Sequence, residues 1–304
     1  MNATVLLFGA SGFIGRAVAD FLAHDARVGT LVKVSRRQRP HEADWVRHDL
    51  VEGHVDELVP LLRRVGPDAV INCAGRLSGD SVALVEANAL VTARLVEAMK
   101  TALPTARLVV LGSAAEYGVV APGRPVTEDA AGDPVSAYGV TRLVSTRLIE
   151  LAAGEGALDA VALRVFNPVG PGLPPENLLG RAAQAIRAAF RSGADHITLG
   201  PLDAYRDFVD VRDVAAAIGA AALAGHVPQP VLNVGSGTAV RVRDAVALLV
   251  KAAGFVGQVH ESDGAPARSR QVQWMAADVH RIRDVLGWKP THDLDTSIRA
   301  SWEG

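Results

Sequence analysis

The residues that most directly suggest chemistry are Tyr138 and Arg142, in the run Tyr138-Gly139-Val140-Thr141-Arg142. Positions i and i+4 lie on one face of a helix, so a phenol and a permanent cation should lie side by side. A free phenol has a pKa of about 10, and a neighbouring cation favours its ionised form. The pair is therefore suited to giving or taking a proton at the oxygen of a carbonyl or an alcohol.

A glycine-rich turn near the start of the chain predicts a dinucleotide site. Residues 4–8 read as a short buried strand, residues 16–22 as an amphipathic helix, and between them lies Gly9-Ala10-Ser11-Gly12-Phe13-Ile14-Gly15. Glycines allow a tight turn and close approach of the backbone to a pyrophosphate, and the helix N-terminus offers unpaired N–H groups. The spacing is G-x-x-G-x-x-G rather than the G-x-G-x-x-G of many dehydrogenases, and a turn without a ligand is the alternative.

Several further motifs occur in order along the chain. They are Asn72-Cys73-Ala74-Gly75, Ser113 four residues before Tyr117-Gly118, Arg164-Val165-Phe166-Asn167, the segment 206–214 with the pattern R-D-F-x-x-V-x-D-V, and Leu286-Gly287-Trp288-Lys289-Pro290. With these motifs the chain resembles the extended short-chain dehydrogenase/reductases that act on nucleotide sugars. Within that family, segments 113–118 and 200–206 are most similar to the reductases of GDP-4-keto-6-deoxymannose.

The resemblance implies three catalytic residues, Ser113, Tyr138 and Arg142. Ser113 would hold the reacting oxygen, although a turn or helix N-cap is the alternative. The family motif is Tyr-x-x-x-Lys, and its Lys lowers the Tyr pKa, binds the nicotinamide ribose and relays protons. Arg142 could do the first two but cannot release a proton. Only 4 of the 31 basic residues are Lys, so Arg142 is either neutral drift or the mark of an altered proton-transfer step.

The end of the second predicted strand favours NADP over NAD. Ser35-Arg36-Arg37 follows residues 30–34, with no acid to bind a ribose 2′-hydroxyl, and Arg39 adds charge. A solvated basic loop is the alternative for these arginines, and a capping role is the alternative for Asp49. The cofactor-binding residues implied by the glycine turn and the resemblance are Gly9, Ser11, Gly12, Phe13, Ile14, Gly15, Ser35, Arg36, Arg37, Asp49, Leu50, Ala74, Gly75, Tyr138 and Arg142.

The substrate-binding residues implied by the resemblance are Ser113, Asn167, Asn177 and Arg206, with Arg270 a weaker candidate. A guanidinium suits a diphosphate, although Arg206 could instead pair with Asp207 or Asp210. Dehydratases of the family carry an Asp-Glu pair after the Ser or Thr, whereas this chain has Ala114-Ala115, which argues against dehydration. Glu116 could contact substrate or be a surface acid.

The alternation of strand and helix patterns predicts an α/β fold, a Rossmann-type doubly wound parallel sheet with a smaller mixed α/β substrate lobe. Predicted strands cover residues 5–8, 29–34, 69–72, 108–112 and 160–165, and predicted helices include 81–100 and 137–154. A helix over 210–223 and a strand over 231–234 should return the chain to the sheet. We therefore assign residues 1–166 and about 205–235 to the dinucleotide-binding domain, and 167–204 and 236–304 to the substrate lobe.

Composition excludes several other classes of protein. A chain of 304 residues with a formal charge of −2 gives no electrostatic case for nucleic acid or an anionic membrane. No apolar stretch is long enough for a membrane span, and the N-terminus lacks a signal-peptide pattern. The single Cys73 excludes an internal disulfide, and inert packing is expected for it, while the nine His residues show no metal-ligand spacing. We expect a cytoplasmic enzyme without a metal, and the resemblance implies a homodimer formed by helices 81–100 and 137–154.

These features together indicate an NADPH-dependent ketoreductase of a nucleotide-linked 4-keto-6-deoxyhexose. A nucleotide-sugar 4-epimerase would use the same residues with tightly held NAD and no net redox change. A ketoreductase of a non-sugar metabolite would keep the cofactor half and change the second lobe. A non-catalytic NADP-binding protein would explain Arg142 as decay, although the presence of both Ser113 and Tyr138 argues against it.

Overall fold

The computed structural model describes residues 2–36, 44–262 and 271–304. The elements in chain order are β1 (Ala3–Phe8), α1 (Phe13–Ala23), β2 (Val28–Ser35), β3 (Trp45–Arg47), α2 (Val55–Val65), β4 (Ala69–Asn72), α3 (Ser81–Leu84), α4 (Val91–Ala102), β5 (Arg107–Ser113), α5 (Ala137–Gly154), β6 (Ala160–Val165), β7 (Asn167–Val169), α6 (Leu178–Ser192), β8 (His196–Leu199), β9 (Tyr205–Asp210), α7 (Val211–Leu223), β10 (Val231–Val234), β11 (Ala239–Arg241), α8 (Val242–Ala253), β12 (Gln258–Glu261), α9 (His280–Leu286) and α10 (Leu294–Glu303). None of the described helices combines the length and apolarity needed to cross a bilayer.

Seven strands form one sheet in the order β10-β6-β5-β4-β1-β2-β3, and all neighbouring pairs are parallel. Successive side chains of β1 point to opposite faces of the sheet. Val5 and Leu7 pack in the same core cluster as residues of α1 and α7. Leu6 and Phe8 pack with residues of α2 and α4 on the other face. Because both faces are covered, the central strands are continuous apolar runs, and the predicted doubly wound sheet is confirmed.

The second half of the chain forms smaller units beside this sheet. β7, β9 and β11 make a three-stranded sheet, and β8 pairs with β12. Residues of α6, α8 and α10 enclose a separate hydrophobic cluster over these strands. After β9 the chain returns through α7 to β10, which pairs with β6 in the large sheet. The predicted return of residues 231–234 to the sheet is therefore confirmed.

The helix predicted over residues 81–100 differs in its middle. A π-helical turn, Val85–Leu90, separates α3 from α4. Asn88 lies inside this turn, and its carbonyl accepts bonds from the hydroxyls of Thr92 and Ser145. Its side chain bonds the backbone of Arg76 and the hydroxyl of Thr141. These partners compete with the regular helical ladder, which explains the wider turn. By contrast, α5 has the predicted bounds 137–154.

Candidate active site

A cavity of about 660 Å³ lies between the carboxyl ends of the sheet strands and the second lobe. The predicted site residues that line it are Gly12, Phe13, Ile14, Gly75, Ser113, Tyr138, Arg142, Asn167, Asn177 and Arg206. Gly9, Ser11, Gly15, Ser35, Arg36, Asp49, Leu50 and Ala74 are predicted site residues outside this lining. Arg37, Arg39 and Arg270 fall outside the described residues. The cavity thus contains the proposed catalytic and substrate residues and one end of the glycine turn.

The glycine turn has the shape that a pyrophosphate requires. Gly9 has a φ of +74°, and a Cβ there would lie 2.6 Å from the amide nitrogen of Ala74. A Cβ on Gly15 would collide with the carbonyl oxygen of Gly9. Gly12 begins α1 without a side-chain cap, and the first turn contains no acidic residue. A bare helix N-terminus with no competing carboxylate suits a bound phosphate, so the residues present fit a dinucleotide.

The residues predicted at the adenosine end have mixed environments. Ser35 is buried at the end of β2, and Arg36 is exposed. Oδ1 of Asp49 accepts the amide N–H of Val51 at 2.9 Å. This is a local turn contact and not the helix cap considered as the alternative, since the N-cap of α2 is His54. Leu50 packs in the hydrophobic cluster beneath the sheet. Arg36 therefore keeps an exposed charge next to the strand end, as a 2′-phosphate contact would need.

Tyr138 and Arg142 lie side by side in the first turns of α5. Ser136 caps this helix by accepting the amide N–H of Gly139 at 3.1 Å. The guanidinium carbon of Arg142 lies 5.4 Å from the centroid of the Tyr138 ring. Its Nη1 donates to the carbonyl of Leu111 at 3.0 Å, and its buried Nε has no hydrogen-bond partner among the described residues. The cation is therefore fixed beside the phenol by the end of β5.

Gly75 gives the guanidinium its space. A Cβ at this position would overlap Nη2 of Arg142 and lie 2.8 Å from Oδ1 of Asn88. Asn88 is itself fixed, because its Oδ1 accepts the amide N–H of Arg76 at 2.9 Å. The glycine, the π turn and the arginine therefore pack as one group behind Tyr138.

Ser113 ends β5 and caps a short 3₁₀ turn, Ala114–Glu116. Its Oγ accepts the amide N–H of Ala115 at 3.2 Å, and its own amide donates to Oε1 of Glu116 at 2.7 Å. Ser113 is thus a helix N-cap, which was the alternative to a catalytic role. It also lines the cavity. The two roles are compatible, because a hydroxyl that accepts one bond still has a proton to donate.

Both expectations for Glu116, a substrate contact and a surface acid, are wrong. The side chain is fully buried, and its Oε2 accepts a bond from Nε of Arg164 at 2.8 Å. Burial raises the pKa of Glu116, and the Arg164 charge opposes that shift. Nη1 of Arg164 also donates to the hydroxyl of Tyr117, which donates to Asn233 on β10 at 2.6 Å. This network was not predicted from the sequence. The signal in the sequence was a charged residue, Arg164, within an otherwise apolar strand.

On the other side of the cavity, Arg206 is anchored by backbone carbonyls. It donates to the carbonyls of Tyr205 and Val272 at 2.8 and 2.7 Å. The carboxylate of Asp207 instead accepts bonds from Ser236, Gly237 and Ala277, and that of Asp210 pairs with Arg212. Burial lowers the pKa of Arg206 to about 10, so it stays cationic at neutral pH.

Two predicted asparagines also line the cavity. Nδ2 of Asn167 donates to the carbonyl of Asp207 at 2.8 Å. Asn177 precedes α6 without capping it through its side chain. Both are thus on the same cavity as Arg206, as expected for the predicted substrate side of the site.

Cys73 also lines the cavity. Burial raises the pKa of its thiol to about 12, which agrees with the expected inert packing. Within residues 2–36, 44–262 and 271–304, no group of three or more His, Cys, Asp or Glu side chains is arranged to hold a metal ion.

Comparison with known proteins places the chain in a family. Residues 5–235 match the NAD dependent epimerase/dehydratase family. The chain is 36% identical to dTDP-6-deoxy-L-talose 4-dehydrogenase (NAD(P)(+)) of Kitasatospora kifunensis, covering 99% of this chain and 95% of that protein. It is 30% identical to GDP-6-deoxy-D-mannose reductase of Pseudomonas aeruginosa, covering 100% and 98%. The solved structure of MoeE5 with UDP-glucuronic acid and NAD is similar, with a TM-score of 0.84, 30% identity and coverage of 99% and 98%. The chain therefore belongs to the NAD dependent epimerase/dehydratase family and is an NAD(P)-dependent enzyme of the extended short-chain dehydrogenase/reductase type.

Proposed function

We propose that this enzyme is an NADPH-dependent ketoreductase that reduces the 4-keto group of a nucleotide-linked 6-deoxyhexose. The observation that carries the proposal is the composition of the cavity. Ser113, Tyr138 and Arg142 line it together with the start of α1, while Asn167, Asn177 and Arg206 line it from the other lobe. A nucleotide-linked ketosugar held between these two sets would have its ketone beside the proton donor Tyr138 and its diphosphate near the cation Arg206.

The chain's own residues supply the proton and the electrostatic stabilisation. The phenol of Tyr138 gives its proton to the substrate oxygen as negative charge develops there. The hydroxyl of Ser113 donates a hydrogen bond to the same oxygen. The fixed charge of Arg142 stabilises the phenolate that remains. NADPH, when bound, supplies the hydride.

Several residues are placed to hold that cofactor. The amides at the start of α1 and the close turn at Gly9 would take the pyrophosphate. Arg142 would contact the nicotinamide ribose, and exposed Arg36 would contact a 2′-phosphate. The preference for NADPH rests on Ser35-Arg36-Arg37, since the 4-dehydrogenase relative is named for both cofactors and the MoeE5 complex contains NAD.

The substrate class is inferred from the names of the relatives and from the residues at positions 114 and 115. The two relatives are named for nucleotide-linked 6-deoxyhexoses, one as a 4-dehydrogenase and the other as a reductase. Oxidation of an alcohol and reduction of the ketone are the two directions of one reaction. Ala114 and Ala115 stand where dehydratases of the family carry an acid and a base, so the site lacks the groups for elimination.

The test is a screen of NADPH oxidation at 340 nm with GDP- and dTDP-linked 4-keto-6-deoxyhexoses, with product identification by mass spectrometry. We expect one reduced sugar per NADPH consumed, with Tyr138→Phe as the inactive control. A 4-epimerase would instead invert C4 of a nucleotide-linked hexose that carries a C4 hydroxyl, tested in a parallel assay, without net consumption of cofactor. Turnover of a simple ketone but no nucleotide sugar would identify a ketoreductase of another metabolite. NADPH binding with no turnover of any ketone would favour a binding protein.

We also propose that the enzyme is a homodimer. Large apolar side chains are exposed on two neighbouring helical segments, Val82, Val85 and Leu90 around the π turn and Val140, Val144 and Leu151 on α5. Their exposure ranges from 38% to 66%. A patch of this kind is typical of a surface that another subunit covers.

A further inference from the structure

We propose that Glu116 is a positioning residue that holds the Ser113 hydroxyl as a hydrogen-bond donor toward the reacting oxygen. The inference rests on the proposed function of Ser113. It assigns a specific task to a buried carboxylate that neither contacts the cavity nor lies on the surface.

Two hydrogen bonds define the turn that contains Ser113. Oε1 of Glu116 accepts the amide N–H of Ser113 at 2.7 Å, while Oγ of Ser113 accepts the amide N–H of Ala115 at 3.2 Å. A serine hydroxyl has one proton and two lone pairs. Because Ala115 occupies a lone pair from the inner side, the proton of Ser113 remains for a group in the cavity. The carboxylate keeps the backbone of Ser113 in the position that allows this arrangement.

Hydrogen-bond donors surround the carboxylate of Glu116. Its two oxygens accept the N–H of Ser113 and the Nε–H of Arg164, both of which only donate, and the hydroxyl of Thr146 also lies against the carboxylate. An ionised carboxylate can accept from all three groups, so the ionised form fits the site. A glutamine has only one side-chain oxygen and could satisfy only one of the two N–H donors.

Burial of the ion pair between Glu116 and Arg164 costs desolvation free energy. Side chains of Glu116 and Arg164 are 0% and 1% exposed, and a buried ion pair of this kind often stabilises no more than apolar residues of similar size. Gly112 makes room for the pair, because a Cβ there would lie 2.5 Å from Oε1 of Glu116 and 3.1 Å from Cγ of Arg164. An apolar residue at 116 would fill the space but leave the Ser113 amide without its acceptor.

The same network contains a matched control. Glu128 is a second buried acid, and its Oε1 accepts the amide N–H of Asn233 at 2.8 Å. Its carboxylate contacts neither Ser113 nor the cavity lining. Glu128→Gln therefore disturbs the buried network without disturbing the serine turn.

The test is a double-mutant cycle of kcat with Ser113→Ala. We expect Glu116→Gln to lower kcat by about tenfold or more with KM nearly unchanged, because a misplaced catalytic group loses rate rather than binding. In the Ser113→Ala background, the same change should alter kcat by less than about twofold, since the group that it positions is already gone. Glu128→Gln should have the same small effect in both backgrounds. Equal loss from Glu116→Gln with and without Ser113 would overturn the proposal.

A second measurement needs no substrate. In enzyme labelled with ¹⁵N-serine, with Ser113→Ala used for assignment, the Ser113 amide proton should move strongly upfield in Glu116→Gln and little in Glu128→Gln. If Glu116→Gln does not fold, Glu116→Asp keeps the charge, shortens the reach and should give the same pattern. An unmoved amide would contradict the positioning role. A moved amide in an enzyme that reduces no 4-ketosugar would instead contradict the proposed function alone.

Discussion

Arg142 occupies the position at which the family has lysine, and two substitutions separate its charge from its shape. Arg142→Lys keeps the charge and loses the planar guanidinium. Arg142→Met keeps an unbranched side chain and loses the charge. The guanidinium contacts Leu111, Gly75 and the ring of Tyr138, so the two variants remove different parts of one packed group.

The size of the charge effect follows from the distance. The guanidinium carbon lies 5.4 Å from the centroid of the Tyr138 ring. With an effective dielectric constant of about 20, a unit negative charge at that centroid would interact with the guanidinium by about 3 kcal/mol. This corresponds to roughly a hundredfold in rate if the full charge develops on Tyr138. We therefore expect Arg142→Met to lower kcat about a hundredfold and Arg142→Lys to stay within about tenfold of the unchanged enzyme. The bond to the Leu111 carbonyl is worth about 1.5–3 kcal/mol of stability, which Arg142→Met loses in full.

The assay is steady-state NADPH oxidation with the best 4-ketosugar, together with NADPH affinity and thermal unfolding to show that each variant is folded. If Arg142 is neutral drift, Arg142→Lys keeps or raises activity. A loss with Arg142→Lys as large as with Arg142→Met would show that the site depends on guanidinium geometry and would refute the drift interpretation. Full activity of Arg142→Met would refute any role of the cation in proton transfer.

Four further outcomes are expected. Tyr138→Phe should lower kcat by about 10²–10⁴ with NADPH affinity nearly intact, and a rate near that of the unchanged enzyme would mean that the proton comes from elsewhere. Arg36→Ala should weaken NADPH much more than NADH in titrations of both cofactors, because only NADPH carries the 2′-phosphate; equal weakening would contradict the assignment. The enzyme should sediment as a dimer at micromolar concentration, and Leu151→Glu, at the most exposed of the large apolar side chains on α5, should shift it toward monomer; a monomeric unchanged enzyme would rule out a stable dimer. Because burial raises the pKa of the Cys73 thiol to about 12, iodoacetamide at pH 8 should label the folded protein at least about a hundredfold more slowly than the unfolded protein, as measured by mass spectrometry.

The sheet was predictable because its signals are local. β4 and β6 are short apolar runs whose bounds match the predicted strands, and α5 begins just after its capping Ser136. The glycine turn was predictable for the same reason, since Gly9 needs a backbone conformation that other residues rarely adopt.

The parts that were missed depend on partners distant in sequence. The π turn at Asn88 arises from bonds to Arg76, Thr141 and Ser145, which no local pattern reveals. The burial of Glu116 depends on Arg164. The sequence can show that a charged residue lies in an apolar segment. Which distant residue pairs with it is known only when the chain is folded.

The position of β10 has a consequence for how the protein is made. β10 pairs with β6 at the edge of the sheet, although β7, α6, β8, β9 and α7 lie between the two strands in the chain. During synthesis, β6 leaves the ribosome long before its neighbour and presents unpaired backbone groups until Val231–Val234 follows. An open edge of this kind can pair with another nascent chain. A ribosome stalled after β6 has left the exit tunnel and before Val231–Val234 has left it would therefore hold an aggregation-prone intermediate, for which chaperone binding would be most valuable.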